Sequence, residues 1–98
     1  MREHHLVPQE MLRNPGFVNH LRNNGIMDPK DFIDRQIAHL ANEEHVRIHK
    51  SDYNAEWRSW FNKNRNFTQE ELQQEIRNAM NRHNIPKASR TGRKYGCG

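Results

Sequence analysis

Apolar positions recur at intervals of three and four residues over most of the chain, a spacing that predicts helices. In PQEMLRNPGFVNHLRNNG a short helical turn leads into a helix with Asn14 as N-cap, Pro15 in the first helical position and Gly25 as the stop. Phe17, Val18 and Leu21 form its buried stripe. In MDPKDFIDRQIAHLA, Asp28 and Pro29 again pair a cap with a first-turn proline, and Phe32, Ile33, Ile37 and Leu40 fall near helical spacing. Its last six residues also alternate in the strand sense, Ile37 and His39 on one face and Ala38 and Leu40 on the other, so periodicity leaves that segment open. Upstream, EHHLVPQ reads as a short strand with two adjacent histidines at its mouth.

Asn42 is placed to cap the next helix, with Glu43 and Glu44 in its positive first turn. His45, Ile48 and His49 then share a face. Tyr53, Trp57, Trp60 and Phe61 follow near helical spacing, which favours core packing over stacking on bases. Thr68 and Glu71 form a capping box ahead of an apolar stripe of Leu72, Ile76, Ala79 and Met80, and Pro86 follows the end of that helix. Residues 1–86 thus read as one domain. KASRTGRKYGCG, residues 87–98, reads as a basic, flexible tail.

Composition narrows what this domain can be. At 98 residues it has room for a single core, and with 33% hydrophobic against 29% charged residues that core is lean. A bound metal or partner would help hold it together. The net charge of +4 favours polyanionic partners. Cys97 is alone, so no disulfide is expected. No apolar run approaches the roughly 18–20 residues that span a bilayer, and a soluble fragment without membrane association is expected.

The chemistry rests on histidines. His45 and His49, four apart on an expected helix, can point their imidazoles at one ion. Taken alone the pair is a weak signal, and two surface histidines are as good a reading. His4 and His5, upstream by the length of a strand-loop-strand excursion, change the balance. Three imidazoles on one divalent ion leave coordination positions for substrate and water, and a fourth histidine is left to act as a base near neutral pH. His20 and His83 read as surface residues, and His39 as a partly exposed strand histidine.

HHLVP followed by QIAHLANEEHVRIH resembles the HNH/endonuclease VII superfamily, the His-Me finger nucleases. With the YNAEWRSWF segment, residues 3–86 resemble the compact nuclease domains at the C-termini of bacterial polymorphic toxins. The resemblance implies an α+β, mainly helical fold: a ββα-metal motif with additional C-terminal helices. It implies that His4, His45 and His49 bind one divalent ion (Zn, Mg or Mn), that His5 is the general base, and that Gln36, with Asp34 nearby, stands where the family has the asparagine that steadies the base-bearing loop.

It further implies a metal-dependent endonuclease hydrolysing phosphodiester bonds, DNA before RNA. Arg35 and Arg47 are candidate phosphate clamps, with Lys50, Lys87, Arg90, Arg93 and Lys94 along the backbone, although a solvated surface charge is as good a reading of each. As a toxin it would be delivered into the cytoplasm of a rival bacterium and be covered by an acidic immunity protein. Two other classes stay open. One is a zinc-stapled nucleic-acid-binding module without turnover; the other is a helical adaptor with incidental histidines.

Overall fold

The computed structural model describes residues 2–90, apart from the side chain of Ala88. The architecture is α+β and mostly helical. β1 (Arg2–His5) pairs antiparallel with β2 (Ile37–Leu40), with His4 opposite Ala38 and His5 opposite Ile37. Between the strands run a 3-10 turn at Gln9–Arg13 and two helices, α1 (Pro15–Asn23) and α2 (Pro29–Arg35). After β2 come α3 (Asn42–Lys50), α4 (Tyr53–Lys63) and α5 (Gln69–Arg82), then a 3-10 turn at Lys87–Ser89.

Local chemistry accounts for most of these boundaries. The Asn14 side chain accepts the N–H groups of Gly16 and Phe17 at 3.0 and 3.3 Å, with Pro15 behind it in the first turn. Gly25 follows α1 at φ +88°, a conformation that costs glycine nothing. Asp28 accepts from the Asp31 N–H to start α2. Thr68 and Glu71 complete the reciprocal capping box of α5.

The ambiguous QIAHLA segment resolves as strand. α2 stops at Arg35, the Gln36 carbonyl accepts the Leu6 N–H at 2.7 Å, and the next four residues are claimed by the ladder to β1. Short apolar runs are decided by such tertiary pairing rather than by their own period.

Four expectations are corrected. Asn42 does not cap α3. Ala41 holds that position without a side-chain bond, and the Asn42 side-chain oxygen Oδ1 accepts from Arg2 Nε at 3.0 Å. His83 is buried: its Nε2 lies 2.9 Å from Glu56 and its Nδ1 3.3 Å from Ser51 Oγ, which ties α5 to α3 and α4. His20 is half-buried, its Nε2 donating to the Phe67 carbonyl at 2.6 Å. The segment read as the start of a tail packs on the sheet as far as it is described, for Arg90 bridges Ala38 antiparallel to β2. Residues 91–98, Lys94 among them, lie outside the described residues.

The core sits between the sheet and the helices. Tyr53, Trp57 and Phe61, one stripe of α4, are each at most 2% exposed, and Phe17, Phe61 and Phe67 pack with ring centroids 5.2 to 6.1 Å apart. Trp60 is half-buried against the same cluster. Among the described residues no helix is long and apolar enough to cross a membrane.

Candidate metal centre

Strand alternation separates the two adjacent histidines. Successive β side chains point to opposite faces, so His4 enters the side closed by α3 and α4 while His5 faces α2. α3 begins one residue after β2, which swings its first turns over β1. His45 and His49, a helical turn apart, then meet the His4 ring edge-on at 5.6 Å each. Each of the three offers a ring nitrogen within 4.8 Å of the others.

The residues fit a metal. His45 Nε2 and His49 Nε2 are 3.1 Å apart, close to the roughly 3.3 Å that separates two imidazole nitrogens on one tetrahedral ion at about 2.05 Å. His4 is 2% exposed, and both of its ring nitrogens are buried with no hydrogen-bond partner. Buried polar atoms without partners are uncommon and call for an explanation, which a ligated ion would supply for one of the two nitrogens. Burial, then the proximity of His45 and His49, lowers the His4 pKa from 6.5 to about 3. His45 is shifted down too, by burial and then by His49 and Arg2. Both rings are therefore neutral at pH 7, the form that ligates.

Tyr53 buttresses the buried ring. Its own ring stands edge-on to His4 at 4.6 Å, and its hydroxyl donates to the Leu6 carbonyl, fixing the chain just past the histidine pair. Burial pushes the Tyr53 hydroxyl pKa up, so it remains a donor.

On the other face, His5 Nε2 lies 3.3 Å from Asp34 Oδ1. A carboxylate only accepts, so Nε2 carries the hydrogen, and in the neutral ring Nδ1 keeps the lone pair. Asp34 is itself buried and takes Lys30 Nζ on Oδ2 at 2.7 Å. The His5 ring is thus oriented from one side, with a basic nitrogen left on the other. Both histidine groups open on one cleft of about 460 Å³, whose walls include Arg2, Glu3, Gln9 and Asn54.

The remaining sequence candidates lie elsewhere. The Gln36 side chain accepts from Arg90, and it is the Gln36 backbone carbonyl that holds the turn after His5. Arg35 pairs with Asp31 at 2.8 Å, and Arg47 donates to the His83 carbonyl at 2.8 Å. Neither lines the cleft, nor does Lys50, exposed at the end of α3. Arg90 lies across β2 from the cleft strand. The cation in the cleft wall is Arg2, which the sequence reading passed over. Its signal was the strand period, which sets Arg2 and His4 on one face. Comparison with protein-family models, curated proteins and solved structures finds no match to this chain.

Proposed function

We propose that this chain is a metal-dependent endonuclease built on a ββα-metal motif, with His4, His45 and His49 holding one divalent ion and His5 acting as general base. The observation that carries the reading is the meeting, in one cleft, of three clustered imidazoles and a fourth imidazole oriented by a buried carboxylate. A structural zinc site has four protein ligands; three leave room for substrate.

The roles of the chain's own groups follow. His5 Nδ1 takes a proton from the attacking water as the water oxygen bonds to phosphorus and the bond to the 3′ oxygen breaks. The imidazolium that forms is stabilised by Asp34, and Lys30 offsets the charge of that carboxylate. Arg2, anchored by Asn42 through Nε, has its terminal nitrogens to offer a phosphate oxygen. Tyr53 keeps His4 in place from below. When bound, a divalent ion supplies Lewis-acid stabilisation of the charge developing on the phosphate. The net charge of +4 supports a polyanionic substrate.

DNA is the proposed substrate, with zinc, magnesium or manganese as the ion. The wider setting is that of a toxin domain acting in the cytoplasm of a target bacterium and neutralised by an acidic immunity protein. The test is incubation of the purified chain with supercoiled plasmid and, separately, total RNA, with each metal and with EDTA. Metal-dependent nicking of plasmid is expected. Cleavage confined to RNA keeps the site and changes the substrate. If folded, metal-loaded protein cuts neither, the histidines staple a binding module and the proposal fails.

A further inference from the structure

Across β2 from the histidine cleft, α5 and the turn that follows it enclose a cavity of about 240 Å³ lined by Arg77, Met80, Asn81, Lys87 and Arg90. Arg77, Met80 and Asn81 are i, i+3, i+4 neighbours and therefore present one face of α5. Arg90 enters from the strand-like segment bridged to Ala38. Its guanidinium is held by the Gln36 and Gln73 side-chain carbonyls, the latter at 3.1 Å, and Arg77 donates to the Gln74 carbonyl at 3.0 Å. All of these acceptors are neutral.

Among the described residues, no carboxylate comes within ion-pairing distance of Arg77, Lys87 or Arg90. Arg35, Arg58 and Arg82 are each paired with an aspartate or glutamate. Three uncompensated cations thus converge on one concave space that holds the volume of about eight waters at roughly 30 Å³ each. Burial, and then the neighbouring Arg77, work against the charged form of Arg90, a cost that an anion in the cavity would offset. Arginine forks match phosphate oxygens in geometry as well as charge.

We propose that this cavity is a phosphate-binding site that takes a backbone phosphate of the nucleic acid engaged at the histidine cleft. The identity of that substrate rests on the nuclease reading. The ladder runs from His4 to Ala38 to Arg90, so two inter-strand steps of about 5 Å put the Arg90 backbone ~10 Å from the His4 backbone. Phosphates advance about 3.4 Å along each duplex strand, so one substrate can reach both places within a few nucleotides. A flexible phosphodiester can enter a recess of this size, whereas the acidic side chains of a folded protein surface meet its rim.

The test is fluorescence anisotropy of a labelled duplex oligonucleotide against the full chain in EDTA, over a range of salt. Arg77→Gln with Lys87→Gln removes two surface charges without touching the core. This double variant is expected to weaken binding at least tenfold and to reduce the slope of log K against log salt by about 0.9, the value for the one phosphate contact it removes. Arg77→Lys with Lys87 unchanged is expected to keep most of that slope. Arg90→Gln, compared only if its circular dichroism matches the parent, is expected to reduce the slope toward that same ~0.9, because the three cations serve one phosphate.

Slopes unchanged in the double variant and in folded Arg90→Gln overturn the proposal. Competition by inorganic phosphate as effective as that by oligonucleotide assigns the cavity to free phosphate and overturns the backbone reading. Equal, variant-sensitive competition by polyglutamate assigns it to acidic proteins and overturns it as well. Because binding is read without metal, the two readings fail separately. Variant-sensitive binding by a chain that cleaves nothing keeps the cavity and removes the nuclease, and metal-dependent cleavage with unchanged slopes does the reverse.

Discussion

His4 is a buried ring in a histidine group that could hold an ion, and its titration makes that burial measurable. Its pKa is about 3 in the folded chain against 6.5 for an ordinary histidine, so the unfolded chain binds more protons between those values. Stability then rises with pH across that window, and metal-free protein should lose stability as pH falls from about 6.5 toward 3. His4→Gln, which has no proton to gain, is expected to flatten this part of the pH dependence; a thermal melt series at constant ionic strength checks it, and an equal slope in parent and variant would contradict the burial argument. The second residue-scale expectation concerns Asp34. Asp34→Asn frees the His5 ring to turn and is expected to lower turnover at least ~10-fold with metal titrations unchanged, a loss of the size seen when an orienting partner is removed. The His45–His49 pair was legible because its spacing within one helix is written in the chain, whereas the choice of His4 over its neighbour His5 came from the resemblance. Arg2 and Asp34 were harder to assign, because what gives each its place is a contact with a distant element: Arg2 with Asn42, Asp34 with His5.

At the scale of elements, the site depends on how abruptly β2 gives way to α3. Ala41 alone separates them, so His45 and His49 sit where the sheet points. α5 closes the fold from the other side, and its start is fixed by Thr68 and Glu71. Thr68→Ala is expected to cost about 1 kcal/mol in urea unfolding while leaving metal affinity as it was, since the cap lies far along the chain from the histidines. Trp57→Ala, in the middle of the buried stripe of α4, is expected to cost about 3–5 kcal/mol by the same measurement. Helices with side-chain caps and long apolar stripes were readable from sequence, α1, α2 and α5 above all. β2 was not, because its three apolar residues, Ile37, Ala38 and Leu40, satisfy either period until β1 is there to pair with. The cap expected at Asn42 failed for a related reason: its side chain had a stronger claim on it from Arg2 in the neighbouring strand.

For the whole molecule, a chain with only 33% hydrophobic residues supports, among the described residues, 18 buried residues in one cluster, and its two-stranded sheet is small for independent stability. An ion bound to the folded state alone adds RT ln(1 + [L]/Kd), about 2.7 kcal/mol at a hundredfold excess over Kd. Zinc is therefore expected to raise the melting temperature of the parent chain and EDTA to reverse it, with little shift in His45→Ala. The most direct single measurement is plasmid cleavage read beside bound metal for His5→Ala and His45→Ala. Expected is a division of roles: His5→Ala retains the ion and loses cleavage, while His45→Ala loses both. His5→Ala that cleaves like the parent, or His45→Ala that binds metal like the parent, would contradict the assignment of base and ligands on which the proposed activity stands.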